Sequence, residues 1–277
     1  MMIKMIKKIH HLHCGTLCPL CAPLFAQKGM YAQLVCHCLL LETEQGLVLI
    51  DTGFGMQDYL QTETRLGKLI ARTSNIQSTM QNTALAHVRR LGFKAQDVRH
   101  ILVTHLDFDH AGGISDFPQA TIHILSSEYN ASLNLKKLKH HIRYRSVQFQ
   151  QHRYWNFIEP TWGEAWFNLQ KVQGFKLLQD DLLIIPLLGH TAGHCGFAIR
   201  QAEGWLLFCG DAYYQHQQIQ ARKNPFLLGQ VERLFAENNH QRLQTLAELR
   251  ELSHTQPQID LICSHDPHDL RRFIQNT

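Results

Sequence analysis

The sequence has no apolar run long enough to cross a membrane. Its longest apolar stretches, such as residues 182–188, are far shorter than the ~20 residues that a membrane-spanning helix needs. Lysines interrupt the apolar residues near the N-terminus, so the continuous core of a secretory signal is absent there. We therefore expect a cytoplasmic protein without a membrane partner, whose eight cysteines are reduced.

Strong charge, internal repeats and low-complexity linkers are absent as well. The formal net charge is only +4, which gives no reason to expect nucleic acid as a partner. No linker divides the 277 residues, so a single domain over residues 1–277 is the simplest organisation. With 44% hydrophobic and 18% charged residues, the composition is that of a globular chain with a real core.

Short apolar runs alternate with stretches of helical spacing. Strands are expected at residues 33–43 and 47–51, joined by a turn, and at 100–104, 120–125, 181–188, 197–201, 205–209 and 259–263. Helices are expected at 82–91, 126–138, 229–252 and 267–274. This alternation predicts an α/β architecture of mixed sheets with helices outside. Residues 54–81 and 133–166 fit neither pattern, and we interpret them as pocket walls or as surface decoration.

Nineteen histidines are many for a chain of this size. The buried-strand pattern of residues 101–104 stops abruptly, before two glycines, in the run His105-Leu106-Asp107-Phe108-Asp109-His110. Four potential ligands within six residues at a strand end can converge on one point. Imidazole and carboxylate are the ligand types that suit zinc, iron or manganese, so this run predicts a metal site.

Three further apolar strands also end in a potential ligand. His190 follows residues 182–188, Asp211 follows residues 205–208, and His265 follows residues 259–263. His194, close behind His190, is either a support for a ligand or merely polar. In an α/β sheet, strand ends at one edge gather into the usual active-site crevice. Four such ends in series therefore predict one shared site.

The order of these motifs, together with the turn Asp51-Thr52-Gly53, resembles the metallo-β-lactamase superfamily of hydrolases over roughly residues 33–268. The resemblance implies an αββα sandwich of two mixed β-sheets flanked by helices. The metal site would lie at one edge of the paired sheets and would hold two divalent ions. Zinc is the first expectation for these ions, and iron or manganese are alternatives.

The resemblance also implies a role for each ligand. His105 and His190 would bind one metal, and the other metal would be bound by His110 and His265 with Asp109. Asp211 would bridge the two metals, and Asp51 would orient a ligand without binding metal itself.

The sequence departs from the family's H-x-H-x-D-H pattern at Asp107, which stands where the second histidine is usual. A carboxylate can bind the same metal, and its charge makes the site harder and more tolerant of iron or manganese. We expect Asp107 to be a ligand. The alternative is a carboxylate that faces solvent or only contacts a ligand.

The pattern resembles in particular the N-acyl-homoserine lactone lactonases of this superfamily, which place a tyrosine where this chain has Tyr214. Opening of a lactone or related ester by a metal-bridging hydroxide is therefore the leading hypothesis. Asp109 would pass a proton to the leaving group, and Tyr214 would contact a small-molecule substrate. Alternatives are an iron-dependent redox or oxygen-handling protein, suggested by Asp107, and a phosphodiesterase, suggested by the basic run 136–145. By analogy with the lactonases, we also expect a homodimer.

A second group of potential ligands lies near the N-terminus. It consists of His10, His11, His13, Cys14, Cys18 and Cys21. Cys18 and Cys21 have the spacing of metal ligands, but zinc sites generally need a second such pair. We expect a reduced, partly buried segment packed near the active site, and a structural zinc is the alternative.

Overall fold

Two β-sheets form the centre of the molecule. The computed structural model describes residues 5–159, 163–220 and 224–274. The first sheet has the strand order β1 (Ile6–Leu17), β2 (Leu34–Thr43), β3 (Gly46–Ile50), β4 (Val98–Leu102), β5 (Thr121–Leu125), β6 (Trp155–Ile158). The second has the order β12 (Ile259–Ile262), β11 (Trp205–Phe208), β10 (Cys195–Arg200), β9 (Gln179–Pro186), β8 (Leu169–Phe175), β7 (Glu164–Trp166). Both sheets mix parallel and antiparallel neighbours.

Helices connect the strands and cover the sheets. They are α1 (Met56–Leu60), α2 (Thr62–Leu66), α3 (Lys68–Thr73), α4 (Ala84–Arg90), α5 (Phe108–Ala111), α6 (Ser126–Leu133), α7 (Leu138–Arg143), α8 (Gln217–Gln220), α9 (Phe226–Phe235), α10 (Asn239–Thr255), α11 (Pro267–Ile274). Over the three described ranges, no helix combines the length and the apolar character that crossing a membrane requires.

Alternation along the strands builds the layers, because successive strand residues point to opposite faces. Leu39 of β2 lies in the core between the sheets together with Phe208 of β11. The neighbouring Leu40 faces the outer core, where the first sheet meets its helices. On the second sheet, Leu207 packs in the other outer core with Leu249 of α10. The four layers run helix, sheet, sheet, helix, which confirms the predicted αββα sandwich.

Several elements differ from the sequence expectations. Strand β1 was not expected, because lysines and histidines interrupt its apolar alternation. The stretch 54–81 contains the short helices α1 to α3, and the stretch 133–166 contains α7, β6 and β7, with residues 160–162 outside the description. The helix expected at 126–138 ends at Leu133, where the backbone of Asn134 leaves the helical conformation. Asparagine competes for backbone hydrogen bonds and so favours helix ends.

The single helix expected over 229–252 is wrong, since α9 and α10 are separated at residues 236–238. The side chain of Asn238 accepts hydrogen bonds from the backbone N–H groups of His240 and Gln241 and so caps the start of α10. The backbone N–H of Asn238 donates to the backbone oxygen of Gly189, and the backbone N–H of Glu237 donates to that of His190. The break therefore supports the loop that follows β9.

Candidate metal centre

Strand ends at one edge of the sandwich bring the predicted ligands together. His105 follows β4, His190 follows β9, Asp211 follows β11 and His265 follows β12. Strands β11 and β12 are parallel neighbours, so the residues after them emerge at the same edge. All seven predicted ligands are buried in spite of their polarity.

A first group of three ligand side chains contains the unusual carboxylate. The Oδ2 atom of Asp107 lies 3.2 Å from Nε2 of His190 and 3.4 Å from Nε2 of His105. All three ligand atoms fall within 4.8 Å of one another. Asp107 is only 7% exposed, so the alternative in which its carboxylate faces solvent is wrong.

A second group of three lies beside the first. Helix α5 carries Asp109 and His110, and the strand end after β12 supplies His265. Nε2 of His265 lies 3.6 Å from Oδ2 of Asp109, and the three ligand atoms again fall within 4.8 Å of one another. The two groups together contain six of the seven predicted ligands.

Asp211 lies between the two groups. Its Oδ1 atom is 3.2 Å from Nε2 of His110, and its Oδ2 atom is 3.0 Å from Nε2 of His265. The same Oδ2 atom is 3.5 Å from Nε2 of His190 and 3.9 Å from Nε2 of His105. One carboxylate therefore contacts both groups, which is compatible with the bridging role that the resemblance implied.

Hydrogen bonds behind two of the imidazoles turn their Nε2 atoms inward. Nδ1 of His110 donates to Oδ2 of Asp51 at 2.8 Å. The hydroxyl of Thr104 donates to the same oxygen at 2.8 Å and accepts from Nδ1 of His105 at 2.9 Å. Asp51 thus orients one ligand directly and the other through Thr104, an arrangement common behind metal-bound histidines.

The other side of the centre is held in a similar way. Nδ1 of His265 donates to the backbone oxygen of Val35 at 2.9 Å. His194 donates through Nδ1 to Leu187 O at 2.8 Å, and its Nε2 accepts the backbone N–H of Asp211 at 2.9 Å. His194 is therefore a support for the loop that carries Asp211, which decides between its two sequence interpretations.

The inward-facing atoms lack the partners that buried polar atoms normally have. Nε2 of His105, Nε2 of His110 and Oδ1 of Asp211 are buried without a hydrogen bond. Buried polar groups are hydrogen-bonded in the great majority of cases, so such a concentration needs an explanation. A divalent cation would satisfy these atoms, and the imidazole and carboxylate donors fit zinc, iron or manganese.

The charged groups of the centre shift the pKa values of one another. Burial alone would raise the pKa of Asp211, but His265 and His110 outweigh it and hold the pKa well below its ordinary value. Burial would lower the pKa of His110, but the carboxylates of Asp211 and Asp51 raise it well above its ordinary value. Carboxylates thus dominate the potential here, and this favours cations.

The family of the chain follows from a sequence comparison. A family model described as the metallo-beta-lactamase superfamily matches residues 31–255. The chain belongs to the metallo-β-lactamase superfamily. It is 34% identical over 273 residues to a probable metallo-hydrolase of Mycobacterium tuberculosis, covering 98% of this chain and 83% of the relative. It is 27% identical over 193 residues to an N-acyl homoserine lactonase of Bacillus thuringiensis, covering 69% of each protein.

A solved structure shows the same superfamily fold. It is an N-acyl homoserine lactone hydrolase with the product N-hexanoyl-L-homoserine bound at its catalytic metal centre. The TM-score is 0.73, the sequences are 21% identical, and the match covers 97% of this chain and 96% of that chain. Membership in this metallo-β-lactamase superfamily establishes the protein as a metallo-hydrolase of that fold.

Two supports of this metallo-β-lactamase centre were not found from the sequence. Arg143, read there as part of a basic run, is buried, and its Nε atom lies 3.2 Å from Oδ1 of Asp107. Glu128 of α6 is fully buried and accepts the backbone N–H groups of Leu106 at 3.1 Å and of Gly193 at 3.0 Å. Glu128 thereby joins the two loops that carry the first ligand group, and no local motif marks either residue.

A mostly apolar cavity opens onto the centre. Asp109 and Tyr214 line its polar end. The Tyr214 ring lies 5.2 Å from the ring of His265 and 6.1 Å from that of His190. The apolar walls include Leu17, Phe25, Leu34, Ile70, Ile142 and Phe235. Both irregular stretches, 54–81 and 133–166, contribute to these walls, as their interpretation as pocket walls predicted.

The N-terminal group of histidines and cysteines does not assemble. Cys18 is half-buried and Cys21 is exposed. Over the described ranges, no set of three neighbouring ligand atoms includes a member of this group, so the alternative of a structural zinc has no support. Leu17 and Pro19 of the same segment line the cavity, which agrees with the expectation of a segment packed near the site.

Proposed function

We propose that the chain is a dinuclear metal-dependent hydrolase that opens a lactone or a related ester. The observation that carries this proposal is the pair of three-residue groups joined by Asp211 at the base of an apolar cavity. In this proposal His105, Asp107 and His190 would hold one ion, and Asp109, His110 and His265 would hold the other. Asp211 would contribute to both sites.

Divalent metals in such a site lower the pKa of bound water and polarise a carbonyl oxygen. The residues of the chain supply the remaining functions. The apolar walls take up the hydrocarbon part of an ester, and Tyr214 contacts the substrate beside the ligands. Asp109 lines the polar end of the cavity beside the other ligands, where its carboxylate could pass a proton to the leaving alcohol oxygen.

Zinc is the proposed metal, with iron or manganese as alternatives. Seven ligands of which three are carboxylates make a harder set than an all-histidine site, and such a set tolerates iron and manganese better. The proposed partner is a small molecule, in agreement with the product in the related hydrolase. A single domain acting as a homodimer completes the proposal by analogy.

A hydrolysis assay tests the function directly. Metal-free protein is reloaded with Zn²⁺, Mn²⁺ or Fe²⁺ and assayed on N-acyl homoserine lactones of several chain lengths, simple γ- and δ-lactones, aryl esters and thioesters. We expect metal-dependent ring opening, which Tyr214→Phe weakens mainly through a higher KM. Inactivity of all metal-loaded forms on every lactone and ester would refute the assignment.

Asp107 also favours a second candidate, an iron-dependent redox or oxygen-handling protein, because hard carboxylate ligands suit iron. Oxygen consumption by the iron-loaded protein with a chemical reductant separates this candidate from the hydrolase. We expect consumption no faster than that of free iron.

The phosphodiesterase hypothesis loses its support from the basic run. Lys137 and Lys139 contact the carboxylate of Glu237 at 2.5 and 3.3 Å, and His140 contacts it at 2.9 Å. Arg143, from the same run, points into the metal centre. These side chains are engaged within the chain, so the run by itself no longer favours a phosphodiesterase.

A further inference from the structure

Arg143 is placed beside Asp107 by the backbone. It is the last residue of α7, and the next residue, Tyr144, forms an antiparallel bridge with Asp107. Arg143 is only 4% exposed, and its Nε atom lies 3.2 Å from Oδ1 of Asp107. A buried guanidinium stays charged, so it requires an anionic partner in this position.

The same guanidinium holds two other parts of the site. Nη1 donates to the backbone oxygen of His190 at 2.9 Å, and Nη2 donates to that of Phe235 at 3.3 Å. His190 is a candidate ligand, and Phe235 lines the cavity. Arg143 therefore connects a ligand-bearing loop, a cavity wall and the unusual carboxylate.

The two oxygens of Asp107 have different neighbours. Oδ1 faces Arg143, whereas Oδ2 faces the Nε2 atoms of His105 and His190. The contact with Arg143 therefore leaves Oδ2 free for a metal and fixes the rotation of the carboxylate. A flexible carboxylate without this contact would have no such preference.

The charge count explains why the pair belongs together. A neutral imidazole at position 107 would add no charge, whereas a carboxylate adds one negative charge next to Asp109 and Asp211. The positive charge of Arg143 cancels that addition, so the pair has the net charge of a neutral histidine. With a histidine at 107, the guanidinium of Arg143 would instead lose the carboxylate that it contacts and would be buried close to bound cations.

We propose that Asp107 and Arg143 form one unit that replaces the second histidine of the superfamily motif, with Arg143 as the positioning residue of the ligand Asp107. The inference rests on the proposed function, because it takes Asp107 to be a metal ligand. It predicts that restoring the family residue alone harms the site, and that neutralising Arg143 at the same time repairs it.

A double-mutant cycle tests this unit with wild type, Asp107→His, Arg143→Gln and the double variant. Zinc affinity is measured by chelator competition, and the thermal unfolding of the metal-free proteins is measured by circular dichroism. We expect Asp107→His to weaken zinc binding about 10–100-fold, the range for disturbing the groups that surround the ligands, because the unpaired charge of Arg143 then lies beside the site. The double variant should regain most of this loss, although each single change lowers the unfolding temperature of the metal-free protein.

Arg145→Gln is the matched control, because Arg145 lies two residues away and its Nε donates to the backbone oxygen of Arg65 without touching Asp107. Added to Asp107→His, it should restore nothing. Full zinc affinity in Asp107→His, or a double variant as weak as Asp107→His, would overturn the pairing while leaving the wild-type centre intact. A wild type that binds no divalent metal would overturn the proposed function itself.

Discussion

Two histidine-rich regions of this chain are organised in opposite ways. In the metal centre, four histidines come from the ends of three different strands and from the helix after one of them, and their Nε2 atoms meet around Asp211. Near the N-terminus, His10, His11 and His13 belong to one strand, β1. Side chains of one strand alternate between faces, so neighbours in sequence are separated in space.

Each N-terminal histidine accordingly has its own partner. His10 contacts Glu42 at 2.5 Å, the ring of His11 stacks on Phe273 at 3.7 Å, and His13 contacts the hydroxyl of Thr16 at 2.6 Å. The comparison shows that a high local density of potential ligands does not make a site. Ligands converge when separate strand ends point to one place.

The pKa values of the histidines also differ between the two regions. Burial lowers the pKa of His11 to about 3, with the charge of Arg272 acting in the same direction, and burial holds that of His37 well below its ordinary value. In the centre, against the effect of burial, Asp211 acts with Asp51 to raise the pKa of His110 and with Asp109 to raise that of His265, whereas burial holds the pKa of His105 well below its ordinary value. Carboxylates thus make the centre attractive to cations, whereas burial keeps His11 and His37 neutral.

The largest effect is expected from Asp211→Asn. This change removes the charge shared by both ligand groups, so metal retention and hydrolysis should fall by more than about 100-fold, beyond the cost of losing a residue that only supports a ligand. Elemental analysis and turnover on the best lactone measure both quantities. Asp180→Asn, at an exposed position, is the control and should match wild type. Full metal content in Asp211→Asn would show that the centre is not built around this carboxylate.

Asp51→Asn should have a smaller effect, because it acts on the ligands from behind. Asp51 has a φ of 54°, a left-handed conformation that asparagine tolerates, so the backbone is expected to persist. Loss of its negative charge weakens the orientation of His110 and of the Thr104 hydroxyl. Zinc affinity should fall about 10–100-fold in chelator competition. An unchanged affinity would mean that these hydrogen bonds do not contribute to binding.

The N-terminal histidines should affect acid stability and leave metal binding intact. Because the folded-state pKa of His11 is below the unfolded value of 6.5, the unfolded chain takes up the proton first as the pH falls. The contribution of His11 to stability is therefore fully present above pH 6.5 and is lost as the pH falls from 6.5 to about 3. Between pH 7 and pH 5, the free energy of unfolding of His11→Gln should fall by about 2 kcal/mol less than that of wild type. Urea unfolding at the two pH values measures this difference.

The exposed His240→Gln is the control for this experiment and should keep the wild-type pH dependence. If His11→Gln and wild type lose stability in parallel as the pH falls, the buried neutral state of His11 is wrong.

No effect on metal content is expected from Cys18→Ser combined with Cys21→Ser. The two cysteines are half-buried and exposed, and they have no third ligand nearby among the residues that the structure describes. Elemental analysis of the variant should give the wild-type zinc content per chain. A loss of one zinc per chain would show that the N-terminal cysteines bind metal and would contradict the contrast between the two regions.

Sequence patterns were sufficient for the features that depend on order along the chain. Apolar strands that end in His105, His190, Asp211 and His265 predicted one shared site at a sheet edge, and the resemblance of the motif order to the metallo-β-lactamase superfamily implied the αββα sandwich. The hairpin of β2 and β3 was predicted as well, from two apolar runs around a turn, and is confirmed.

The features that escaped prediction depend on contacts between distant segments. In the sequence, Arg143 is one of several basic residues in a run. Its contact with the centre depends on the bridge between Tyr144 and Asp107, which places the Arg143 side chain beside Asp107. Glu128 has no distinguishing neighbours in sequence, yet it holds loops 22 and 65 residues away through Leu106 and Gly193. Long-range hydrogen bonds of this kind leave no periodic signal.

Metal stoichiometry tests the central claim most directly. Native protein and His110→Ala are purified in parallel, and tightly bound divalent metal per chain is measured by elemental analysis. The account predicts about two ions per wild-type chain, as in two-metal hydrolytic sites, and the loss of half or all of them in His110→Ala. A wild type without metal, or a variant with the same content as wild type, would contradict it.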